Sequence, residues 1–424
     1  MMYNFQSEKY KTKMMCDSDG IPLLLPNLYL HSLYKNRQVY KLTWIDGSGK
    51  RRIKDAELNK VTLSKKKITE FFYELRKFLL WLESYSENSS TISLTTHHNL
   101  PEEVINYYIN NVLILDRNTS EKMIEKAVSG LIYYYNYLAF NGFTNIKEIS
   151  VKSENKSIAR DNTKRRNVIK YLSPRMRAEL YANAKSLRVE CILRAGGECG
   201  LRTKENMGLL LSDFKVGGRS YSGIKSFCKE IDIETKLNKP FNKQKQEFKY
   251  WLQGKYTKGR RGGVGGISRW IYIPRDVMLR FKLYYETERP ECAEDSLLLT
   301  DPKSGVVHGI KEYQGSRDFS ETQGLVIDKQ QQGLLPDYLH MLDDKHSYHI
   351  LRHSYGTDKF HDAIEEDGLE LESVTHLSRP YLLVAELLGH EAQGKDAPIT
   401  TRKYIRSAKE KRDQEKSYLE CSYG

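Results

Sequence analysis

Four short stretches of this 424-residue chain carry residue types that, taken together, could handle a phosphate ester. In Gly200-Leu201-Arg202-Thr203-Lys204-Glu205, glycine permits a tight turn, so Arg202 can point from a helix start toward an anion. Glu205, three residues on, can hydrogen-bond back and orient it, although such a pair by itself is ordinarily a surface ion pair. His349-Ile350-Leu351-Arg352-His353 puts His349 and Arg352 on one helix face, with apolar residues turned away. A guanidinium offers phosphate a fixed fork of donors and an imidazole exchanges a proton near neutral pH; solvated basic groups at a helix end would look the same. Glu386-Leu387-Leu388-Gly389-His390 reads as a helix end closed by a left-handed glycine that exposes His390, a place where a histidine is commonly structural. Thr400-Thr401-Arg402-Lys403-Tyr404 is a basic approach to a tyrosine on a helix. With 29 tyrosines in the chain, Tyr404 is singled out by its company alone.

A fifth stretch is softer. Gly254-Lys255-Tyr256-Thr257-Lys258 leads through a glycine-rich turn, Gly259 to Gly266, into the strand-like alternation of Arg269-Trp270-Ile271-Tyr272-Ile273-Pro274, which predicts a hairpin. A lysine on such a hairpin can reach into a groove of nucleic acid and protonate a leaving oxygen. Lys258 is the first candidate and Lys255 the second; either is equally at home as one more surface cation. Arg260 and Arg261 beside them are candidate DNA contacts. The glycines do not form a nucleotide-binding loop, because no G-x-x-x-x-G-K-[ST] sequence is present.

These residues need elements to hold them. Residues 1–63 are expected to form an N-terminal arm of unknown role, with an apolar stretch from Ile21 to Leu30 and alternation from Val39 to Ile45. From Ser64 the spacing turns helical, with Ile68, Phe71, Phe72, Leu75, Phe78, Leu79 and Leu82 three or four residues apart. Pro101 to Leu115 and Ser120 to Phe140 extend the pattern, so 64–148 is predicted as a compact helical domain. Over 149–172 apolar periodicity lapses while basic residues accumulate, which reads as a basic linker: a solvated hinge, or one that touches phosphates through Lys152, Lys164, Arg165 and Arg166. Ser173-Pro174 starts a second domain, 173–424, with a helix expected through Leu187 and mixed helix and strand signals beyond.

Composition narrows the partner. The 68 lysines and arginines exceed the 55 acidic residues, giving a net charge of +13 and a pI near 9.1. Such a balance favours nucleic acid or an anionic membrane surface. No apolar run is long enough to span a membrane, and the start of the chain lacks the apolar core of a signal peptide, so a cytoplasmic protein is expected, nucleoid-associated if prokaryotic. The six cysteines are scattered without paired spacing, so neither a disulfide framework nor a metal site is expected.

Taken in order, G-L-R-x-x-E, a lysine hairpin, H-x-x-R-H, L-G-H and a tyrosine after Thr400-Thr401 closely resemble the motif series of the tyrosine recombinases, or phage integrases, across residues 173–410. The resemblance implies a mainly α fold with a small β-sheet: a helical core-binding domain that clasps DNA, then a mixed α/β catalytic domain of the DNA breaking-rejoining type. It implies Arg202 and Arg352 as paired phosphate-binding arginines, His349 and His390 as hydrogen-bonding partners, Lys258 as general acid, Glu205 as orienting acid and Tyr404 as nucleophile. His353 would support its helix; Tyr418 and Tyr423 are fallback nucleophiles. The expected function is site-specific recombination or integration for a mobile genetic element through a 3'-phosphotyrosyl intermediate, without cofactor, metal or ATP. The partners would be double-stranded DNA and a homo-tetramer on two DNA sites, with Ile405 to Tyr418 either docking on a neighbour or fraying as a tail. A type IB topoisomerase, a telomere-resolving enzyme or a non-catalytic DNA-binding protein on the same fold are the alternatives.

Overall fold

The computed structural model describes residues 3–6, 13–44, 56–86, 92–164, 171–258, 266–300, 307–336, 342–390 and 397–423. The chain divides into two compact units, Met1–Asn167 and Val168–Gly424. Both are mainly helical, and among the described residues the named strands pair as small two-stranded antiparallel sheets. Among the described residues no helix is long and apolar enough to cross a membrane.

The first unit begins with β1 (Tyr3–Gln6) and β2 (Lys13–Cys16), followed by α1 (Leu24–Asn36) and a second pair, β3 (Gln38–Trp44) and β4 (Ala56–Thr62). The apolar stripe from Ile68 to Leu82 lies along α2 (Lys65–Ser86), and all seven of its residues are buried. α3 (Glu102–Tyr107) runs on into a π-helical stretch, Tyr108–Asp116, before α4 (Glu121–Phe140). α4 packs Ile124, Leu131, Tyr134 and Leu138 into the same core as that stripe, which Met15, Tyr29, Leu30 and Val39 also enter.

The stretch read as a linker contains a helix, α5 (Ser153–Lys164), that apolar periodicity does not signal. Side-chain amides anchor it instead. Asn110, buried on the π-helical stretch, donates to the Ser150 carbonyl (3.1 Å) and accepts from the Lys152 backbone N–H (2.8 Å). The Asn155 amide donates back to the Asn110 carbonyl (3.2 Å) and Asn162 to the Ile114 carbonyl (3.3 Å). Wider π turns disturb the regular backbone ladder, and buried carbonyls need donors, which these amides supply. Lys152 is exposed and Lys164 ends α5; Arg165 and Arg166 lie outside the described residues.

The second unit opens with α6 (Pro174–Ala182), where the Ser173 hydroxyl accepts the Met176 N–H (3.2 Å) and Pro174 fills the first turn. The helix stops short of Leu187 because Ser186 caps a new one, α7 (Leu187–Gly197). β5 (Phe214–Val216), β6 (Arg219–Tyr221) and α8 (Ile224–Lys236) lead to the predicted hairpin. Its strands are β7 (Glu247–Leu252) and β8 (Arg269–Pro274), paired from Glu247↔Pro274 to Leu252↔Arg269. α9 (Arg275–Thr287), α10 (Gln314–Gln331), α11 (His349–Asp367), α12 (Arg379–Leu388) and α13 (Ala397–Tyr423) complete it. One core gathers α7, the hairpin, α9 and the start of α11, and a smaller one is built from α11, α12 and α13.

Candidate active site

Glu205 is the centre of the site. It is fully buried, and its carboxylate is met by three guanidinium groups. Arg202 closes the turn as its spacing suggests, donating its backbone N–H (2.9 Å) and one Nη (2.6 Å). Arg269 grips both carboxylate oxygens, at 3.0 and 2.8 Å, and Arg352 approaches one at 3.3 Å. Burial by itself would raise the Glu205 carboxyl; the hydrogen bond from Arg269 and the charges of Arg352, Arg269 and Arg202 outweigh it and hold the group at about 2. Gly200 makes the turn possible: its φ is +66°, and a Cβ there would stand 2.6 Å from the Tyr355 ring.

Arg352 sits one turn into α11, 1% exposed. It also donates to the Gly200 and Leu388 carbonyls and lies 3.4 Å from His390 Nε2, while its Nε has no hydrogen-bond partner among the described residues. Burial pushes this guanidinium down to about 9, with Glu205 opposing and Arg202 and Arg269 reinforcing, so it remains cationic at neutral pH. The α12 terminus has the expected glycine cap: Gly389 has φ +60°, its N–H bonds the Glu386 carbonyl, and the His390 N–H bonds that of Ala385 at 2.8 Å. His390 is not exposed as the cap alone suggests but is partly buried, turned onto Arg352. Burial, then the charges of Arg352 and Arg202, depress its imidazole to about 3, so it is neutral at physiological pH. His349, the first residue of α11, is exposed, and its charge also acts on His390.

Tyr404 lies on α13 and is 3% exposed. Its ring packs between His353 (5.3 Å between centroids) and Phe360 (5.9 Å), both on α11. Gly356 leaves room for it, since a Cβ there would stand 2.9 Å from Tyr404 Cε1 and 3.2 Å from its hydroxyl. Burial pushes the phenol well above the usual tyrosine value, against the pull of the Arg352 and Arg202 charges. His353 holds α13 a second way, with Nε2 3.3 Å from the Ser407 hydroxyl. Of the other tyrosines considered, Tyr418 has its ring under Arg175 of α6 (3.1 Å), and the side chain of Tyr423 lies outside the described set.

The hairpin lysines stand apart from the Glu205 cluster in the contacts they make. Lys255 is exposed with Nζ 4.9 Å above its neighbour Tyr256, and Lys258 is exposed at the end of the described limb. Arg260 and Arg261 lie outside the described residues. The neck of the hairpin is defined: the Gly266 N–H bonds the Gly254 carbonyl (2.8 Å), and the Lys204 ammonium reaches the Thr257 carbonyl (3.5 Å) from the Arg202 turn. Sequence reasoning missed Arg269. It named the residue only as the start of a strand, and a strand-opening arginine carries no local mark of a buried partner 64 positions earlier. Among the described residues a group of possible metal ligands, His361, Asp362 and Glu365, lies further along α11, where Lys411 already faces Asp362 (3.8 Å).

Three cations against one carboxylate leave an excess of positive charge, and two of them, Arg352 and Arg202, act on the buried phenol of Tyr404. Such a site can bind an anionic oxygen cluster and stabilise charge that builds on it. No family model matches the chain, and no curated protein matches it. Among solved structures it is similar to the XerH site-specific recombinase bound to palindromic difH substrate, a post-cleavage complex (12% identity, 94% of this chain and 95% of that one, TM-score 0.44). It is similar to a Tn1549 transposon integrase in complex with transposon right end DNA (11%, 92% and 98%, 0.44) and to a lambda integrase dimer bound to a COC' core site (11%, 81% and 89%, 0.42). These three solved structures, each matched over most of this chain, are a recombinase and two integrases.

Proposed function

We propose that this chain is a site-specific DNA recombinase of the tyrosine recombinase type, which cuts and rejoins strands through Tyr404. The Tyr404 oxygen attacks a backbone phosphorus, forming a 3'-phosphotyrosyl bond and releasing a free 5'-hydroxyl. That hydroxyl, or one from a second duplex, attacks in reverse and frees the tyrosine. The bond energy stays in the protein–DNA link, so rejoining needs no nucleotide hydrolysis. Arg202 and Arg352 carry the negative charge of the non-bridging oxygens, and the neutral His390 adds a hydrogen bond. The phenol is protonated at neutral pH, so its proton must pass to a base, for which exposed His349 is the candidate; Lys258, or Lys255 in its place, gives a proton to the leaving oxygen.

The observation that carries this reading is the meeting of Arg202, Arg352 and His390, drawn from separate stretches of sequence, around one overcompensated carboxylate, with the Tyr404 ring held against the same helix, α11, that supplies Arg352. A surface ion pair or a capping histidine would have no reason to converge in this way. The net charge of +13 supports a polyanionic partner. In this reading Lys152 and the basic residues of the hairpin contact phosphates, the protein acts as a tetramer on two DNA sites, and its biological setting is a mobile genetic element. The test is mass spectrometry of the peptide trapped on a nicked duplex, in which the released fragment diffuses away and religation fails. A phosphonucleotide on Tyr404 is expected. No adduct, or one on Tyr418 or Tyr423, overturns the assignment.

A further inference from the structure

Arg269 joins pieces of the site that the motif series treats as separate. It opens β8, so it belongs to the lysine hairpin, and its pairing with Leu252 fixes its height on that hairpin. Its guanidinium takes both oxygens of Glu205. Its Nε donates to the Leu387 carbonyl (3.1 Å) at the end of α12, and its Cδ would lie 3.0 Å from a Cβ at Gly389, beneath the turn that presents His390. One buried side chain thus ties the Arg202 turn, the hairpin and the His390 turn together.

The charge count gives this arrangement a purpose. Glu205 orients Arg202, yet a buried carboxylate between two arginines meant for phosphate would cancel the charge of one of them. Two cations and one anion leave a single positive charge; with Arg269 included, three against one leave two. A phosphodiester carries one negative charge, and a second develops as a nucleophile adds to phosphorus. Because Arg269 occupies the carboxylate with its full fork, Arg202 gives Glu205 only one Nη, and Arg352 approaches only at 3.3 Å. Lysine cannot do the same, since an ammonium is a point charge without the planar pair of donors.

We propose that Arg269 is a positioning residue of the strand-cutting site, taking up the Glu205 carboxylate so that Arg202 and Arg352 keep their charge for the phosphate. This rests on the reading of the site as a phosphodiester-cutting centre. Without Arg269, Glu205 draws the two remaining arginines onto itself and becomes an inhibitor built into the site.

The test is a charge rescue, read as the rate of covalent trapping on a nicked duplex by the full chain. Arg269→Gln is expected to trap at least about 100-fold more slowly than the wild type. Removing the carboxylate charge as well, in the Arg269→Gln/Glu205→Gln double variant, is expected to recover at least about tenfold over Arg269→Gln alone. A residue that merely fills space would show additive or deeper loss in the double variant, and that result overturns the proposal. Should Arg269→Gln fail to fold, Arg269→Lys carries the same comparison: it keeps the charge but not the fork, and Glu205→Gln must again improve it. A wild type that traps nothing removes the reading of the site and this inference with it; a wild type that traps normally, paired with no rescue, removes the inference alone.

Discussion

Replacing Glu205 by glutamine keeps the shape of the side chain and deletes its charge, leaving the guanidinium groups of Arg202, Arg269 and Arg352 with no carboxylate between them. A carboxyl that titrates at 4.5 in the unfolded chain and at about 2 in the folded one stabilises the fold by about 3 kcal/mol at neutral pH. Since the folded value is the lower one, this contribution is complete above the unfolded value and is lost as pH falls through the folded value. The gap in unfolding free energy between wild type and Glu205→Gln should therefore be about 3 kcal/mol at pH 7 and about half that by pH 3. Urea unfolding followed by tryptophan fluorescence measures it, in a background where Trp44 and Trp81 are phenylalanine, so that Trp251 and Trp270 report on the second unit alone. A gap below about 1 kcal/mol at neutral pH, or one that widens on acidification, would refute the electrostatic account of the cluster.

Three further outcomes are expected. Gly356→Val puts side-chain atoms where the Tyr404 ring lies, 2.9 Å from the position of a Cβ, and should cut covalent trapping at least about 100-fold while duplex affinity by gel shift stays within about threefold; unchanged trapping would mean that the phenol does not need its place on α11. In a spectrum of isotopically labelled imidazoles, His390, held at about 3, should show no protonation step between about pH 8 and pH 5, and a midpoint near the ordinary histidine value would contradict its burial against Arg352. Asn110→Ala removes an amide that serves the Ser150 carbonyl and the Lys152 N–H and should cost the first unit about 1–3 kcal/mol, with faster proteolysis within α5; equal resistance to protease would show that the amides do not anchor that helix.

What could be read ahead of the structure follows a physical division. Local geometry announces itself: the i, i+3 relation of Arg202 and Glu205, the glycine cap before His390 and the alternation of β8 each depend on neighbours in sequence, and each stands where its pattern put it. The apolar stripe of α2 was legible for the same reason. Arg269 was not, because what marks it is a partner on the far side of the unit rather than any spacing. α5 escaped because it is held by hydrogen bonds from Asn110, Asn155 and Asn162 rather than by an apolar face, and periodicity sees only the latter. The depth of Arg352 was likewise hidden: its spacing from His349 suggested two groups side by side on one face, yet one is exposed and the other is enclosed by carbonyls.

The order in which a ribosome delivers this chain gives the central carboxylate a meaning beyond chemistry. Arg202 and Glu205 emerge together, and the two other arginines that meet the carboxylate follow 64 and 147 residues later. Until Arg352 and the carbonyl of Leu388 that receives it have both appeared, the nascent polypeptide holds an acid whose set of counterions is incomplete, which disfavours closing the core around it. A product terminated before Arg352 therefore lacks the assembled anion-holding centre, and translation itself withholds the site until α11 and α12 have both been made.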